Sequence, residues 1–389
     1  MPKPKLIRIT TVPISLEKLL EGQLTFMQDH FDVTAISAEQ ERLEAFGEAN
    51  NVKVFPLEMT RQITPVQDLK ALIKLIRFFR KEKPTIVHTH TPKAGIVGML
   101  AAKIAGVPLR LHTVAGLPLM EATGKKRTLL NAVEKLTYSC ATKVYPNSKG
   151  LYDFILKETF TSSNKLDVIA DGSSNGINTQ HFNADHFSEE SNNKLRDSLG
   201  IKPSDVVFIF VGRLVGDKGI NELVDAFKSL KKLSVIANSK LLLVGPFETE
   251  LDPLLPETLK EIETNPNIIS VGYQPDVRPF FAISKVLVFP SYREGFPNVV
   301  LQAGAMGLPA IVSNINGCNE IIKDHKNGII IPVKNKEAIG RAMSACLENS
   351  TLINKLRIEA RPMIVNRYEQ EKVWSALLET YNQLIKKLD

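Results

Sequence analysis

Short runs of β-branched and aliphatic residues alternate along this chain with longer stretches whose apolar residues recur every three or four positions. The short runs predict strands, and the longer stretches predict amphipathic helices. Repeated alternation of this kind is typical of α/β folds built on a parallel sheet. In the first half we expect strands at Leu6–Thr11, Asp32–Ile36, Thr85–His88, Leu109–Thr113, Lys143–Pro146 and Leu166–Ala170, and a helix at Val66–Arg80.

A run of turn-forming residues then separates two similar halves. Asp171–Gly176 is rich in Gly, Ser and Asn, and the polar stretch 178–193 follows it, so this segment indicates an inter-domain linker. Because the alternation restarts afterwards, we expect two Rossmann-like domains, 1–180 and 181–368, followed by a last segment, 369–389. Two such domains imply a cleft, with ligands at the carboxyl ends of the strands. The second half predicts strands at Val206–Val211, Lys240–Val244, Ile268–Val271, Val286–Pro290, Pro309–Ser313 and Gly328–Pro332, and helices at Ile220–Lys231, Pro297–Met306, Lys336–Leu347, Leu352–Asn366 and Glu369–Lys387.

The composition narrows the class of protein. With 43% hydrophobic and 23% charged residues in 389, the chain is neither disordered, collagenous nor a small disulfide-built domain. Three cysteines are too few for a disulfide framework and fit a reducing compartment. No stretch of about 18 apolar residues predicts a membrane span, and no secretory signal opens the chain. We therefore expect a cytoplasmic protein, peripheral on the inner face of the cytoplasmic membrane.

The excess of positive over negative charge lies entirely in the first half. The net charge is +7, and residues 1–180 hold 24 Lys and Arg against 17 Asp and Glu, whereas the remainder is balanced. An excess of this kind favours anionic phosphates or a phospholipid surface as partners. We expect no nucleic-acid partner, because no basic motif with interleaved aromatic residues is present.

The most informative stretch is 289–309, which reads as a strand, a Gly/Pro turn, a helix and a second strand. Gly295 permits a tight turn, and the helix beginning near Pro297 would point its first N–H groups at a ligand. Such a helix N-terminus binds diphosphate. Glu294 can accept hydrogen bonds from sugar hydroxyls, but a carboxylate that merely caps the helix would look the same.

A second loop follows the strand predicted at Val206–Val211. Arg213 and Lys218 lie five positions apart across a glycine-containing turn, so both can reach one anionic group. The loop is not a Walker A motif, because Lys218 is followed by Gly219 rather than Ser or Thr. Taken alone, the pair is more typical of a solvated turn.

A third loop, 314–320, lies between a predicted strand and a short helical segment. Its Gly317 and the backbone amides up to Glu320 form a second candidate phosphate nest.

Together, and in this order, the three loops resemble the donor half of the GT-B, family 4 retaining glycosyltransferases, closest to the bacterial capsule and O-antigen enzymes that extend lipid-linked sugars. The resemblance covers nearly the whole chain, including the linker at 175–182 and the last helix, which in that fold crosses back to the first domain. It implies two Rossmann-like parallel-sheet domains facing across a cleft. It also implies a nucleotide-sugar substrate with no cofactor and no metal, in agreement with the lack of an Asp-x-Asp motif.

The resemblance also implies roles for individual residues. Arg213 and Lys218 would hold the donor diphosphate and stabilise the leaving group, and Glu294 would bind hydroxyls of the donor sugar. The family has a second Glu where this chain has Gln302, whose neutral amide can still accept from a ribose hydroxyl without charge assistance. The remaining donor-binding residues would be Gly212, Tyr273, Gly295, Phe296, Pro297, Asn298, Gly317 and Glu320.

In the first half, the resemblance places His112 among residues that contact the donor sugar. Many relatives carry a His where this chain has Ala115, so His112 either takes that catalytic role or the role is missing. A strand histidine is more often structural than catalytic, although a strand end at a ligand cleft raises the odds of catalysis. The acceptor side would be formed by Gly22, His88, His90 and Lys93.

The predicted helix at 66–83 is strongly basic as well as apolar. It is either a docking surface for anionic lipid or an ordinary sheet-covering helix with a solvated outer face. The charge excess of the first half favours the membrane surface. The basic residues are Lys70, Lys74, Arg77, Arg80, Lys81 and Lys83, with a further loop at Lys125–Arg127, and the apolar stripe consists of Leu69, Leu72, Ile73, Ile76 and Phe79.

The expected function is transfer of a sugar from a UDP-sugar to a hydroxyl of a polyprenyl-diphosphate-linked saccharide, with retention of configuration. Two alternatives share this fold and stay open. A UDP-sugar 2-epimerase type of enzyme would act on the nucleotide sugar without an acceptor. A non-catalytic nucleotide-sugar-binding subunit would explain Gln302 and Ala115.

Overall fold

The computed structural model describes residues 2–60, 62, 64–120, 122–230, 238–248, 250 and 252–388. Contacts divide the chain into two compact units. The first unit contains Met1–Gly176 together with Gln370–Asp389, and the second contains Ile177–Glu369. The chain therefore leaves the first unit a few residues before the boundary that we expected after residue 180, and its last helix belongs to the first unit.

Each unit is built on one parallel sheet. Among the described residues, both sheets have six strands, in the order β3-β2-β1-β4-β5-β6 in the first unit and β12-β11-β10-β7-β8-β9 in the second. Both are doubly wound orders of the Rossmann type, because the first strand of each unit lies in the middle of its sheet and the later strands are added on either side of it. The strands are β1 (Lys5–Ile9), β2 (Asp32–Ser37), β3 (Lys53–Pro56), β4 (Ile86–Thr89), β5 (Leu109–Val114), β6 (Lys143–Pro146), β7 (Val206–Val211), β8 (Ser239–Val244), β9 (Ile268–Ser270), β10 (Val286–Phe289), β11 (Ala310–Ser313) and β12 (Gly328–Ile331).

Helices cover the sheets, and several begin with a proline, whose fixed φ and missing N–H suit the first helical position. They are α1 (Pro13–Leu19), α2 (Gln23–Gln28), α3 (Gln40–Asn50), α4 (Pro65–Glu82), α5 (Pro92–Ile104), α6 (Gly124–Cys140), α7 (Lys149–Lys157), α8 (Glu189–Ser198), α9 (Ile220–Leu230), α10 (Pro256–Thr264), α11 (Arg278–Ala282), α12 (Asn298–Ala305), α13 (Cys318–Ile321), α14 (Lys336–Glu348), α15 (Ser350–Tyr368) and α16 (Gln370–Ile385). No helix in the described part of the chain has the length and apolar character needed to cross a bilayer.

The predicted strands are confirmed to within a residue or two, apart from one. At Leu166–Ala170 only a single bridge forms, between Leu166 and Val144, so that prediction is wrong. The structure adds β3, an edge strand whose residues are exposed or half-buried. The predicted helices are confirmed with similar shifts at their ends. Lys231, predicted to end α9, lies outside the described residues.

The position of α4 on its sheet differs from the expectation. Its fully buried residues are Ala71, Leu75 and Phe79, whereas Leu69 and Ile73 of the expected core stripe are exposed. The helix is therefore rotated so that part of its apolar surface faces solvent. The reason is that α4 carries more apolar residues than one face of a helix can hold.

Candidate active site

Two loops of the second unit come together at the carboxyl ends of the adjacent strands β7 and β10. Lys218 Nζ, from the loop after β7, lies 2.6 Å from Glu294 Oε1, from the loop after β10. The two side chains are only 15% and 18% exposed. A charge-assisted hydrogen bond with so little access to water is stronger than a surface ion pair. The sequence predicted both residues at the site, and the structure brings them together.

Neighbouring contacts fix this pair in place. The fully buried Ser291 donates its hydroxyl to Glu294 Oε1 at 3.0 Å. The Tyr292 N–H donates to the Asp217 carbonyl oxygen at 2.9 Å and so joins the two loops through the backbone. Gly219 has φ +72°, and a Cβ there would lie 2.3 Å from the Pro290 carbonyl oxygen, so only glycine permits this approach.

Arg213 occupies a different position from Lys218. Its Nη1 lies 2.6 Å from Glu248 Oε2, and Arg213 is 46% exposed. In this conformation each cation is therefore paired with its own glutamate, and not with a shared anion as the sequence suggested. An exposed pair of this kind contributes only about 0–1 kcal/mol, so Arg213 can exchange Glu248 for another anion at low cost.

The loop at 314–320 supports the loop that carries Glu294. Asn316 Nδ2 donates to the Gly295 carbonyl oxygen at 2.7 Å and to that of Glu294 at 3.2 Å. Gly317 has φ +74°, and a Cβ there would lie 2.5 Å from the Gly295 carbonyl oxygen. The expected phosphate nest is not present in full, because the Glu320 N–H already donates to Gly317. This loop buttresses the backbone at Glu294.

The N-terminus of α12 offers backbone donors beside this loop. Pro297 is the N-cap residue, and the helix starts at Asn298. Among the described residues, nothing accepts from the N–H groups of Asn298 and Val299. Free N–H groups and the positive end of the helix dipole favour an anion there. Gln302 is half-buried one turn further along the same helix.

The other predicted donor-binding residues lie in three places. Gly212 directly follows β7 and donates its N–H to the Val244 carbonyl oxygen at 2.9 Å. Tyr273 follows β9, and its side chain is 70% exposed. Phe296 is half-buried, with its ring centroid 5.4 Å from that of Tyr368. Phe296 therefore packs inside the second unit, whereas the Tyr273 ring is accessible to a ligand.

In the first unit, His112 lies in the interior. It is 3% exposed, its Nδ1 is 2.8 Å from Thr89 Oγ1, and its ring lies directly under Gly95 of α5. Burial lowers the pKa of His112 to about 4, so the ring is neutral at physiological pH. This placement favours the structural role over the expected contact with the donor sugar.

His88 and His90, expected on the acceptor side, are buried as well. His88 Nδ1 lies 2.6 Å from Arg8 Nη1 and from the Tyr381 hydroxyl. Neither ring nitrogen of His90 has a partner in the described part of the chain, and burial lowers its pKa to about 3. Both rings belong to the packed interior of the first unit, which argues against direct contact with an acceptor.

The two remaining acceptor-side residues are engaged within the first unit. Lys93 Nζ lies 2.6 Å from Asp68 Oδ2 on α4, so its charge is balanced. Gly22 is covered by the Trp374 ring of α16, which a Cβ at Gly22 would approach to 2.7 Å. Trp374 Nε1 donates to Asn175 Oδ1 at 2.7 Å, so the last helix and the linker are bound together beside Gly22.

Sequence reasoning missed the residues that hold the site. Asp217 stands next to Lys218, and Ser291 lies three positions before Glu294, but nothing in their type distinguishes them from ordinary loop residues. Asn316 had a usable signal, because an Asn before a Gly often fixes a loop. Glu248 lies in a loop that carried no motif.

Cys318 lies near the site without being a nucleophile. It is completely buried, and burial, with a smaller contribution from Glu294, raises the pKa of its thiol. The described cysteines are all free and buried. No group of three His, Cys, Asp or Glu side chains in the described part of the chain is arranged to hold a metal, and the expectation of a metal-free site stays a prediction.

Comparison with known proteins identifies the family. Residues 191–363 match the family described as "Glycosyl transferases group 1", and residues 19–148 match "Glycosyl transferase 4-like". The chain is 33% identical over 388 residues to the capsular polysaccharide biosynthesis glycosyltransferase CapM of Staphylococcus aureus, covering 99% of both chains.

Two further likenesses agree. The chain is 29% identical over 359 residues to the Escherichia coli UDP-Gal:alpha-D-GlcNAc-diphosphoundecaprenol alpha-1,3-galactosyltransferase, covering 92% of this chain and 90% of the relative. The crystal structure of Anabaena HepE in complex with UDP and glucose superimposes with a TM-score of 0.81 at 17% identity, over 98% of this chain and 100% of that one, which shows the fold. The chain therefore belongs to the family 4 glycosyltransferases of polysaccharide biosynthesis, which have the GT-B fold.

Proposed function

We propose that this glycosyltransferase moves a sugar from a UDP-sugar to a hydroxyl of a polyprenyl-diphosphate-linked saccharide, with retention of anomeric configuration. The observation that carries the proposal is the Lys218–Glu294 pair, held at 2.6 Å beside the free N–H groups of α12. This arrangement offers a cation and backbone donors for a diphosphate and a carboxylate for a sugar. The substrate classes follow the Escherichia coli relative, whose name specifies UDP-Gal and a diphosphoundecaprenol acceptor.

Lys218 serves the donor diphosphate without giving up Glu294. An ammonium group has three N–H donors, so one can stay on Glu294 while another binds a phosphate oxygen. Arg213 exchanges Glu248 for the diphosphate, where a guanidinium can bind two oxygens at once. The two cations then stabilise the negative charge that develops on the departing UDP, which lowers the barrier to transfer.

Glu294 is positioned for the donor sugar. Its Oε1 accepts from Lys218 and Ser291, whereas its Oε2 has no partner among the described residues. A carboxylate oxygen of this kind accepts hydrogen bonds from sugar hydroxyls. We assign the ribose hydroxyls to Gln302 and the base to the exposed ring of Tyr273, with Gly212 and Gly295 shaping the surrounding backbone.

The chemical step needs no protein base. The acceptor hydroxyl oxygen forms a bond to the anomeric carbon while the bond from that carbon to the diphosphate oxygen breaks. The hydroxyl proton passes to the diphosphate, which leaves as UDP on the same face of the sugar. The protein contributes positioning and electrostatic stabilisation.

We further propose that the first unit binds an anionic membrane surface through α4. Val66, Leu69 and Ile73 lie three and four positions apart, so they form one ridge, and they are 69%, 57% and 41% exposed. Exposed basic side chains lie alongside this ridge. Together they form the α4 face, which consists of Val66, Leu69 and Ile73 with Lys70, Lys74, Arg77 and Lys81. Apolar side chains beside basic ones suit the boundary between lipid headgroups and chains.

Co-sedimentation with vesicles tests the α4 face. Each basic residue near an anionic surface contributes about 1 kcal/mol, so replacing Lys70, Lys74 and Arg77 by Glu abolishes binding to vesicles rich in phosphatidylglycerol. A matched control replaces three exposed lysines of the second unit, Lys202, Lys260 and Lys355, by Glu. Equal loss in both triple variants would contradict a specific face and would indicate only net charge.

Mass spectrometry of the reaction products tests the transferase proposal. The purified chain is incubated with a panel of UDP-sugars and a short polyprenyl-diphosphate saccharide, with and without a chelator. We expect an acceptor heavier by one sugar, with and without chelator. Isomerised UDP-sugar in the absence of acceptor would indicate the epimerase alternative, and UDP binding without any product would indicate a non-catalytic subunit.

A further inference from the structure

A buried arginine lies in the sheet of the first unit and is not among the residues that we assign to the donor. Arg8 is in β1, is 2% exposed, and is in register with His88 of β4. Its Nη1 donates to His88 Nδ1 at 2.6 Å and to the Tyr381 hydroxyl at 2.7 Å. Among the described residues, no carboxylate pairs with it. A buried charge without a counter-charge is costly, so its surroundings require explanation.

His88 does not supply negative charge. Burial, and then the positive charge of Arg8, lower the pKa of His88 well below its usual value, so the ring is neutral. Its Nδ1 faces two donors and therefore accepts, which leaves the proton on Nε2. That N–H donates to Thr113 Oγ1 at 2.8 Å. The cluster of Arg8, His88, Tyr381 and Thr113 therefore carries one positive charge that nothing in the cluster balances.

A small polar cavity adjoins this charge at the carboxyl ends of β5 and β6. Its volume of about 20 Å³ is that of a water-sized occupant. Three residues of its lining have a buried polar atom with no partner in the described part of the chain: Arg8 Nε and Ser174 Oγ, which can donate to an anion, and Asn147 Oδ1, which is an acceptor and cannot. The cavity is lined by Arg8, His88, Thr113, Tyr145, Asn147 and Ser174, together with neighbouring apolar and small residues.

We propose that this cavity is a binding site for a halide-sized anion, of which chloride is the physiological example. The wall combines one full positive charge with the hydroxyl groups of Thr113, Tyr145 and Ser174, which can turn their hydrogens inward. Asp167, whose charge acts on Tyr145, is exposed and accepts from the Val168 N–H. A monatomic anion would balance the charge of Arg8 and fit the cavity, whereas phosphate is too large for it.

The bound anion ties together segments that are distant in sequence. Ser174 belongs to the linker, Thr113 to β5 and Arg8 to β1, and Val373 and Leu377 of α16 also line the cavity. The anion therefore stabilises the first unit where the linker and the last helix meet its sheet. This role is independent of the proposed transfer reaction.

Anomalous diffraction from a crystal soaked in bromide tests the site in the unaltered protein. We expect a bromide peak inside the cavity, in contact with Arg8 Nε. An ordered water there, with bromide found only at the surface, would overturn the proposal.

Thermal unfolding provides the second measurement. At equal ionic strength, replacing gluconate by chloride raises the melting temperature by about 2 °C, since an anion that binds only the folded state stabilises it. The T113V variant loses most of this rise, whereas T128V, which removes an exposed hydroxyl of the same unit, keeps it. An equal rise in T113V, or a rise with phosphate alone, would overturn the halide assignment.

Discussion

Replacing Lys218 by Met tests the donor site, because it alters one charged group and little else. The change removes the ammonium group and keeps an unbranched side chain of similar length. Glu294 then retains Ser291 as its hydrogen-bond partner and has limited access to water, because only 18% of its side chain is exposed. Loss of one partner from such a pair costs about 1–3 kcal/mol of unfolding free energy.

The loss of activity is expected to be larger than the loss of stability would explain. Lys218 stabilises charge that develops on the leaving diphosphate, and removal of one preorganised donor of this kind slows turnover by about 10²-fold or more. That factor corresponds to about 2.7 kcal/mol of transition-state stabilisation. The drop should appear in kcat, with a smaller change in KM for the UDP-sugar, because the interaction strengthens as the bond breaks.

The assay is release of UDP under saturating acceptor, with urea unfolding measured on the same samples. Lys228 offers a control, because it also forms an ion pair on the same unit, with Glu261 at 2.8 Å, but its side chain is 53% exposed and lies outside the site. We expect K228M to keep turnover within about threefold of the parent. If K218M also stays within that range while folded, Lys218 has no part in departure of the diphosphate.

Three further changes probe the site and its support. Gln302→Glu should keep or tighten UDP binding by calorimetry, since a carboxylate accepts more strongly from ribose hydroxyls; a large loss would mean that Gln302 faces another group. Gly219→Ala should destabilise the protein by at least about 2 kcal/mol more than Gly200→Ala, because a Cβ at Gly219 meets the Pro290 carbonyl oxygen. Gly200 is the control, since it also has a positive φ, +65°, but has open space around it. Equal urea midpoints for the two variants would contradict the loop packing. The pKa of His112 is about 4 in the folded protein and 6.5 in the unfolded chain, so the unfolded chain takes up the proton first as the pH falls. His112 alone should therefore lower the unfolding free energy by about 2 kcal/mol between pH 7 and pH 5. A His112→Asn variant should lose that part of the slope in urea titrations, and an unchanged slope would show that His112 is not buried as a neutral ring.

The strands were predictable because parallel strands are buried on both faces and read as unbroken apolar runs. The run at 206–211 is an example, with every residue apolar. The edge strand β3 was not predicted, because its four residues are at most half-buried and include a proline. The rotation of α4 could not be derived from its own sequence, since Leu69 and Ala71 both fit an apolar face and only packing against the sheet selects between them.

Part of the site was predictable because its residues follow predicted strands. Lys218 and Glu294 stand at strand ends that the topology makes neighbours, so their approach followed from the order of strands. The pairing of Arg213 with Glu248 did not, because Glu248 lies in a loop without periodic pattern. The sequence left the histidines open between a structural and a ligand-contacting role, because a strand end fits both. The position of His112 within β5 and under a helix favours the structural role.

A crystal structure of the chain with UDP would show directly which residues hold the diphosphate. We expect the β-phosphate in hydrogen-bond contact with Lys218 Nζ and the Arg213 guanidinium, with Glu248 released from Arg213 and with the first N–H groups of α12 nearby. A diphosphate bound elsewhere on the second unit, with Lys218 still paired only to Glu294, would contradict this expectation.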